Sequence, residues 1–599
     1  MLLSELPAEI LYLILAHLPT VNALTNLSQT CRRLNTMMMG DESLIFREFV
    51  ETRFSAIETP PYWRDAAQAL ASRSRALYRK GIIARFVVPS NSTKIGHQRP
   101  TPPDNSTLGY KPVISSYEIW NGQSWAEKKE VLAWGAGNQL VMRIKQNGHR
   151  KQQRWLVFDE LDAMDVYDDI RSLHLLSSRE LYKNDTDVEH LIFGRCRGDI
   201  TRLIISPDEA TYEHKQRFKT SGRYLEATDL SQGTNPTLAA HFADGTIAFY
   251  HADSEKEEID PFTCLPPPPR TVNNHMKLLS SSTVAVGTRL PTGSWYVSRF
   301  TPAGVSTLRS YGRSDIDQNR TTETSREFLI GAIEPLGAHS LAGGSPGEVF
   351  LTAWGGHSIS LHDLRSPDSE VNVYTDNTDS NPTYSLLAFG HDSFLVGSGG
   401  EGLVKVFDLR MGRISGSLDS QMNTGYSYKA PPRHHPKHGF SMFLSTFPPP
   451  TFSDETTSRA RPHRQRGTYR GPVYTMSSPS SSSPTVYTGL IGGVAQLDFA
   501  STEDLLGSNR DWYEKNLALD VNTSEAPLLD PASQALNLTG YERPDPNDFT
   551  TTSKLRHQRE FWKVKPEDLG RHGLWDCRWA DVEEPGAWRT RRALRSAET

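Results

Sequence analysis

Gly343-Gly344-Ser345-Pro346-Gly347 is a literal Gly-x-Ser-x-Gly, the spacing at which hydrolases hold a nucleophilic serine on a strained strand-to-helix turn. That chemistry needs a helix after the serine. Here Pro346 and then the apolar run EVFLTAW follow, which predicts a hairpin turn and no catalytic role for Ser345. His434, His435 and His438 are metal ligands by type, but no cysteine or carboxylate accompanies them at ligand spacing. The four cysteines, Cys31, Cys196, Cys264 and Cys577, are too far apart in sequence for a CxxC or zinc-ligand pattern. The chain contains no GxxxxGK[ST] phosphate loop, no GxGxxG fingerprint and no HExxH pair. Arg459, Arg461, Arg464, Arg466 and Arg470 form either a nuclear-import or phosphate-binding cluster or a solvated basic loop. The expectation is a non-catalytic protein with no metal and no cofactor.

The elements around these residues are those of a large globular chain. Its 599 residues allow three to five domains or one repeat array with appendages, at ~100–200 residues per domain. A formal charge of −5 gives no whole-chain pull toward nucleic acid or an anionic membrane, and neither is expected as a partner. The apolar run LYLILAHL near the N-terminus is too short to span a bilayer.

Leu6, Ile10, Leu11, Ile14, Leu15 and Leu18 recur at spacings of three and four, which predicts a helix with Pro7 in its first turn and Glu9 at the positive end of its dipole. A second helix is expected from Thr20 or Asn22, carrying Leu24, Leu27, Cys31 and Leu34 on one face and ending before Gly40-Asp41. A third, short one carries Leu44, Ile45 and Phe49. So small a helical unit needs a partner to cover part of its apolar surface.

The run LPAEILYLILAHLPTVNALTNLSQTCRRLN resembles an F-box: Leu-Pro-x-Glu, paired aliphatics, Leu-x-x-Leu, then a Cys-Arg pair before a bulky apolar residue. Leu6, Pro7, Glu9, Ile10, Leu11, Ile14, Leu15, Leu18, Leu24, Leu27, Cys31, Arg32 and Leu34 fall in place. Ala23 and Leu34 depart from the acidic residue and the tryptophan common in the family. The resemblance implies that this apolar face binds a Skp-type adaptor and, through it, a cullin, and that Cys31 is a small buried hydrophobe. Residues 62–80 then read as a connecting helix whose basic face, Arg64, Arg73, Arg75, Arg79 and Lys80, is expected to be solvated.

Beyond about residue 83 the pattern becomes short strands separated by Gly, Asn, Asp and Pro. The segments 349–365 and 395–410 align with each other, and both end in a strand followed by Asp-Leu-Arg. They resemble the closing half of a WD-repeat blade, with His362-Asp363 and Phe407-Asp408 in place of Trp-Asp. Weaker copies occur at 191–206, 238–253, 285–300 and 486–501. With the strand-rich stretch 110–158 they predict a β-propeller of about seven blades, a sandwich being the alternative. Asp363, Arg365, Asp408 and Arg410 are expected to tie turns together.

The predicted organisation is α+β and multidomain: a small all-α F-box over 1–50, a helical linker over 51–84, and an all-β propeller over 85–503 with a disordered insertion at about 422–484. A tryptophan-containing extension over 504–599 is expected to dock on the propeller or a partner. The resemblance implies a substrate-recognition subunit of an SCF-type ubiquitin ligase, with the propeller binding a protein substrate. Loop arginines able to fork onto phosphate admit a phosphorylated one, though none is singled out. The alternative is a scaffold that assembles a complex without directing ubiquitination. The expected location is cytoplasm, nucleus or both.

Overall fold

A computed structural model describes residues 6–581 apart from 19–20, 41, 55–56, 90, 96–109, 149–151, 160, 162–167, 177–187, 234, 270, 289–294, 312–329, 338–344, 346, 355–357, 368–369, 377, 380, 401, 412, 415–438, 445–470, 508–509, 518–534, 537, 544–554, 560 and 570–574. The helices come first: α1 (Ala8–Ala16), α2 (Val21–Ser28), α3 (Arg32–Gly40), α4 (Glu42–Arg53) and α5 (Trp63–Arg79). The single helix expected from Thr20 or Asn22 to just before Gly40-Asp41 is two helices, because Ser28 and Thr30 donate their hydroxyls back to the carbonyls of Thr25 (2.6 Å) and Leu27 (2.7 Å). Such local bonds offer the backbone an alternative to the helical ladder. Cys31 therefore stands between helices, its carbonyl accepting the Asn35 N–H at 3.0 Å.

The remaining strands form seven sheets, each built on an antiparallel meander. Their innermost strands are Ile114–Trp120, Ile170–Leu176, Leu225–Leu230, Asn273–Ser280, Ile330–Pro335, Thr383–Phe389 and Thr475–Ser477, defining blades 1 to 7. Each packs on the next, and that of blade 7 packs on that of blade 1, which closes a propeller. A side chain stitches every one of the seven junctions. Ser115 accepts the Leu175 N–H (3.0 Å), and His174 bonds Thr228 (2.8 Å). Asp229 accepts the Leu278 N–H (2.7 Å), and Asn274 donates to Ile330 O (2.9 Å). Glu334 accepts the Ala388 N–H (3.2 Å), Ser385 donates to Val473 O (2.9 Å), and Thr475 donates to Pro112 O (2.8 Å). None of these junctions is held by apolar packing alone.

The outer strand of blade 7 comes from before the propeller: Ile83–Phe86 pairs antiparallel with Gly493–Asp498 and, on its other side, with Ala535–Leu536. The boundary expected at residue 84 thus falls inside a strand. Of the insertion expected to be disordered at about 422–484, 439–444 and 471–484 lie within the described residues and are structured, the serine-rich run 477–484 among them. Phe440–Phe443 is a strand of blade 6, Thr475–Ser477 is an inner strand, and Ser482 and Ser483 are buried. Small hydroxyl residues fit there because the Arg73 guanidinium fills the space, donating to the carbonyls of Ser481 (2.6 Å) and Ser483 (3.0 Å).

Arg64 is exposed, but the rest of the basic face of α5 is not the solvated surface expected. Arg73 and Lys80 are buried, and Arg75 and Arg79 pair with Asp504 and Glu503. Burial lowers the Arg73 pKa to about 10. The helix Thr502–Leu506, which crosses the boundary expected at 503/504, is capped by Ser501 and followed by Arg510–Asn516. Later strands, Thr539–Glu542, Arg556–Gln558 and Trp579–Asp581, widen blade 6, and the Trp579 indole N–H donates to the Lys80 carbonyl at 2.7 Å. One apolar core joins Leu15 and Leu24 of α1 and α2, Phe49 of α4, Leu70 of α5, Trp120 and Trp125 of blade 1, and Leu505 and Tyr513 of the C-terminal helices.

Candidate functional site

α1 is apolar on two sides. At 100° per residue, Leu11 and Leu15 share one stripe, while Ile10, Leu13 and Ile14 share another roughly opposite Tyr12. The first stripe is spent inside the chain: Leu11 and Leu15 are buried, and α1 packs on α4. The second stays at the surface, with Ile10 44% and Leu13 58% exposed, Leu6 and Ile14 half-buried, and Pro7 and Glu9 exposed. Two arginines hold the helix in this attitude. Arg33 donates to Leu6 O (2.9 Å) at its start, and Arg53 donates to Leu18 O (2.7 Å) beyond its end.

This divides the twelve residues expected to contact an adaptor. Leu11, Leu15, Leu24 and Leu34 are interior, shielded by their own domain, and cannot offer a surface. Leu18 and Leu27 are half-buried against the same core, and Cys31 is half-buried in the turn between α2 and α3. Leu6, Pro7, Glu9, Ile10 and Ile14 remain available. Leu13 was not singled out from the sequence, and Leu44, 53% exposed on α4, was read only as part of the apolar face of its helix. The signal for Leu13 was present: it lies three residues beyond Ile10 on the face that Leu11 and Leu15 do not use.

The other candidates are tied into the scaffold. Arg365 forks onto Asp363 (2.9 and 2.7 Å) and Arg410 onto Asp408 (2.8 and 2.6 Å), each bracing the turn that follows a third strand. Hydrogen bonding from Arg365 holds the Asp363 carboxyl below the usual carboxylate range. His362, in the place of the blade tryptophan, bonds Thr352 across the hairpin at 2.7 Å. Ser345 donates its backbone N–H to Glu348 (3.0 Å) in a turn before the strand Val349–Trp354, without the helix an elbow requires. The arginine cluster 459–470 and His434, His435 and His438 lie outside the described residues. Among the described residues no group of three or more His, Cys, Asp or Glu is placed to hold a metal ion, and no helix is long and apolar enough to cross a membrane.

Residues 3–49 match the F-box-like family. The protein thus combines an N-terminal F-box-like domain with a β-propeller. Domains of this family bind Skp-type adaptors, and the propeller suggests protein–protein interaction. No curated protein matches the chain. Among solved structures, Sqt1 of Saccharomyces cerevisiae aligns with a TM-score of 0.36 and 13% identity over 62% of this chain and 81% of that one.

Proposed function

We propose that this protein is the substrate-recognition subunit of an SCF-type ubiquitin ligase, its F-box-like domain held by a Skp-type adaptor and a cullin while the propeller holds a protein substrate. The observation that carries the reading is the second apolar stripe of α1: a helix that has already satisfied its own core still presents Ile10 and Leu13 to solvent. Its contribution to the reaction is positioning. Holding substrate and ligase on one body raises the effective concentration of the acceptor lysine, and the chemistry of ubiquitin transfer belongs to other subunits.

The test is Ile10→Glu/Leu13→Glu in the full chain co-expressed with a Skp-type adaptor and a cullin. Fully desolvating two such side chains contributes ~1.5–3 kcal/mol each, so adaptor affinity should fall at least about 100-fold while the melting temperature stays put. Adaptor binding unchanged in the double variant would remove the reading. Adaptor binding with no ubiquitin reaching any propeller-bound protein would favour a scaffold.

A further inference from the structure

The two ends of the propeller differ in what the inner strands touch. Blade 1's inner strand ends at Trp120, inside the core shared with the helical domain, and blade 6's ends at Phe389, whose ring lies 5.2 Å from the Arg73 guanidinium. The turn after blade 7's inner strand carries the serine carbonyls that Arg73 holds. The same strands begin, at Ile114, Thr383 and Thr475, on the opposite end. There the surface changes character. Among the described residues of blades 1, 6 and 7, the large apolar side chains left exposed are Tyr384 (41%) and Ile491 (39%), and both sit at this end.

They belong to one patch. The Tyr384 ring meets Tyr474 edge-on, with centroids 5.6 Å apart, and the Lys111 ammonium stands 5.0 Å over the Tyr474 ring. Ile491 lies beside Gly471, where a Cβ would come within 2.5 Å of its side chain. The backbone beneath is fixed: the Tyr474 N–H donates to Gly489 O and the Gly492 N–H to Tyr110 O, both at 2.9 Å. Tyrosines on a rigid frame give large contact area at small entropic cost. A cation resting on an aromatic face is already partly desolvated, so pairing it with a carboxylate costs less than stripping a fully hydrated one.

We propose that this patch docks an extended segment of a protein substrate, an apolar side chain seating on Tyr384 and Ile491 and an adjacent carboxylate pairing with Lys111. The proposal rests on the receptor reading above and gives the substrate-recognition end a location and a chemistry. The match is one of charge and shape: an exposed cation set in an aromatic and aliphatic rim selects an acidic residue beside an apolar one.

The experiment uses the full chain purified with its adaptor and a displayed library of random short peptides. The wild type should enrich sequences in which Asp or Glu adjoins Leu, Ile or Phe. Tyr384→Ala should weaken the selected peptides at least about tenfold. Lys111→Glu, at an exposed position that leaves the fold intact, should turn the preference from acidic to basic residues. Absence of enrichment on the wild type overturns the proposal, as do selected peptides that bind Lys111→Glu and Tyr384→Ala unchanged. Adaptor retention, measured on the same samples, separates loss of the docking site from failure of the receptor reading.

Discussion

The closed and open ends of the propeller use the same pairing to different effect. At the closed end the Arg73 guanidinium lies 5.2 Å from the ring of Phe389; at the open end the Lys111 ammonium lies 5.0 Å from the ring of Tyr474. Arg73 is buried, its Nη1 group donates to two backbone carbonyls of blade 7 and its guanidinium lies over the Phe389 ring of blade 6, so it joins α5 to both blades. Lys111 is exposed, so its remaining donors face solvent. A cation on an aromatic ring is thus structural where it is buried and bonded to backbone carbonyls, and available for recognition where it is exposed. The same contrast runs through α1, whose Leu11–Leu15 stripe builds the domain while its Ile10–Leu13 stripe faces outward.

The comparison can be broken most severely at Arg73. Arg73→Ala removes two charged hydrogen bonds and leaves the Ser483 carbonyl buried without that partner, and charged hydrogen bonds contribute ~1.5–3 kcal/mol each, so a loss of about 3–5 kcal/mol is expected in denaturant or thermal melts. Lys111→Ala, its counterpart, should change stability by less than ~0.5 kcal/mol. Next in size, Leu15→Ala should cost ~2–4 kcal/mol through lost burial and a cavity in the core shared by helices and propeller. Leu13→Ala should leave melting unchanged and weaken adaptor binding instead, which co-purification would read.

A smaller effect belongs to the inner strands of blades 2 and 4. Burial lowers His174 and His275 to about 4, against ~6.5 in an unfolded chain. Between those values the unfolded state binds more protons, so stability should be full above pH ~6.5 and decline as the pH falls toward 4. Further down, Glu130 acts in the same direction. Burial alone would raise it, but Arg143, Lys128 and Lys145 outweigh that and hold it at about 2, so its contribution is lost as the pH drops from ~4.5 toward 2. Melting temperature against pH checks both windows. His174→Asn/His275→Asn should flatten the upper window and leave the lower one; a slope unchanged by the substitution would show that these rings do not govern it. The smallest effect is expected at Ser345→Ala, in an exposed turn: no change in melting or in adaptor retention.

Much of the propeller was legible because of which strands are buried on both faces. The copies read at 191–206, 238–253, 285–300, 349–365, 395–410 and 486–501 are the second and third strands of blades 2, 3, 4, 5, 6 and 7. Val349–Trp354 and Leu403–Asp408 are buried throughout, which forces continuous apolar runs that a sequence displays openly. Outer strands do not announce themselves. Gly304–Tyr311 is largely exposed, and Thr211–Phe218 is mostly polar. The serine-rich run misled for a related reason. Its composition reads as disordered, but Ser482 and Ser483 are buried, and the Ser483 carbonyl accepts from an arginine some 400 positions away.

By itself, then, the sequence determined the helical periodicity of α1, the F-box spacing from Leu6 to Leu34, and the repeated hairpins of six blades, because all of these are local patterns written within a few tens of residues. The tertiary structure alone decided which stripe of α1 is core and which is surface, since both are apolar and only packing on α4 tells them apart. It also decided that Ile83–Phe86 closes blade 7 and that Arg73 and Lys80 of the basic face of α5 are buried while Arg75 and Arg79 are paired. Those outcomes depend on partners that arrive from more than 400 residues further along the chain, and no local pattern carries that information.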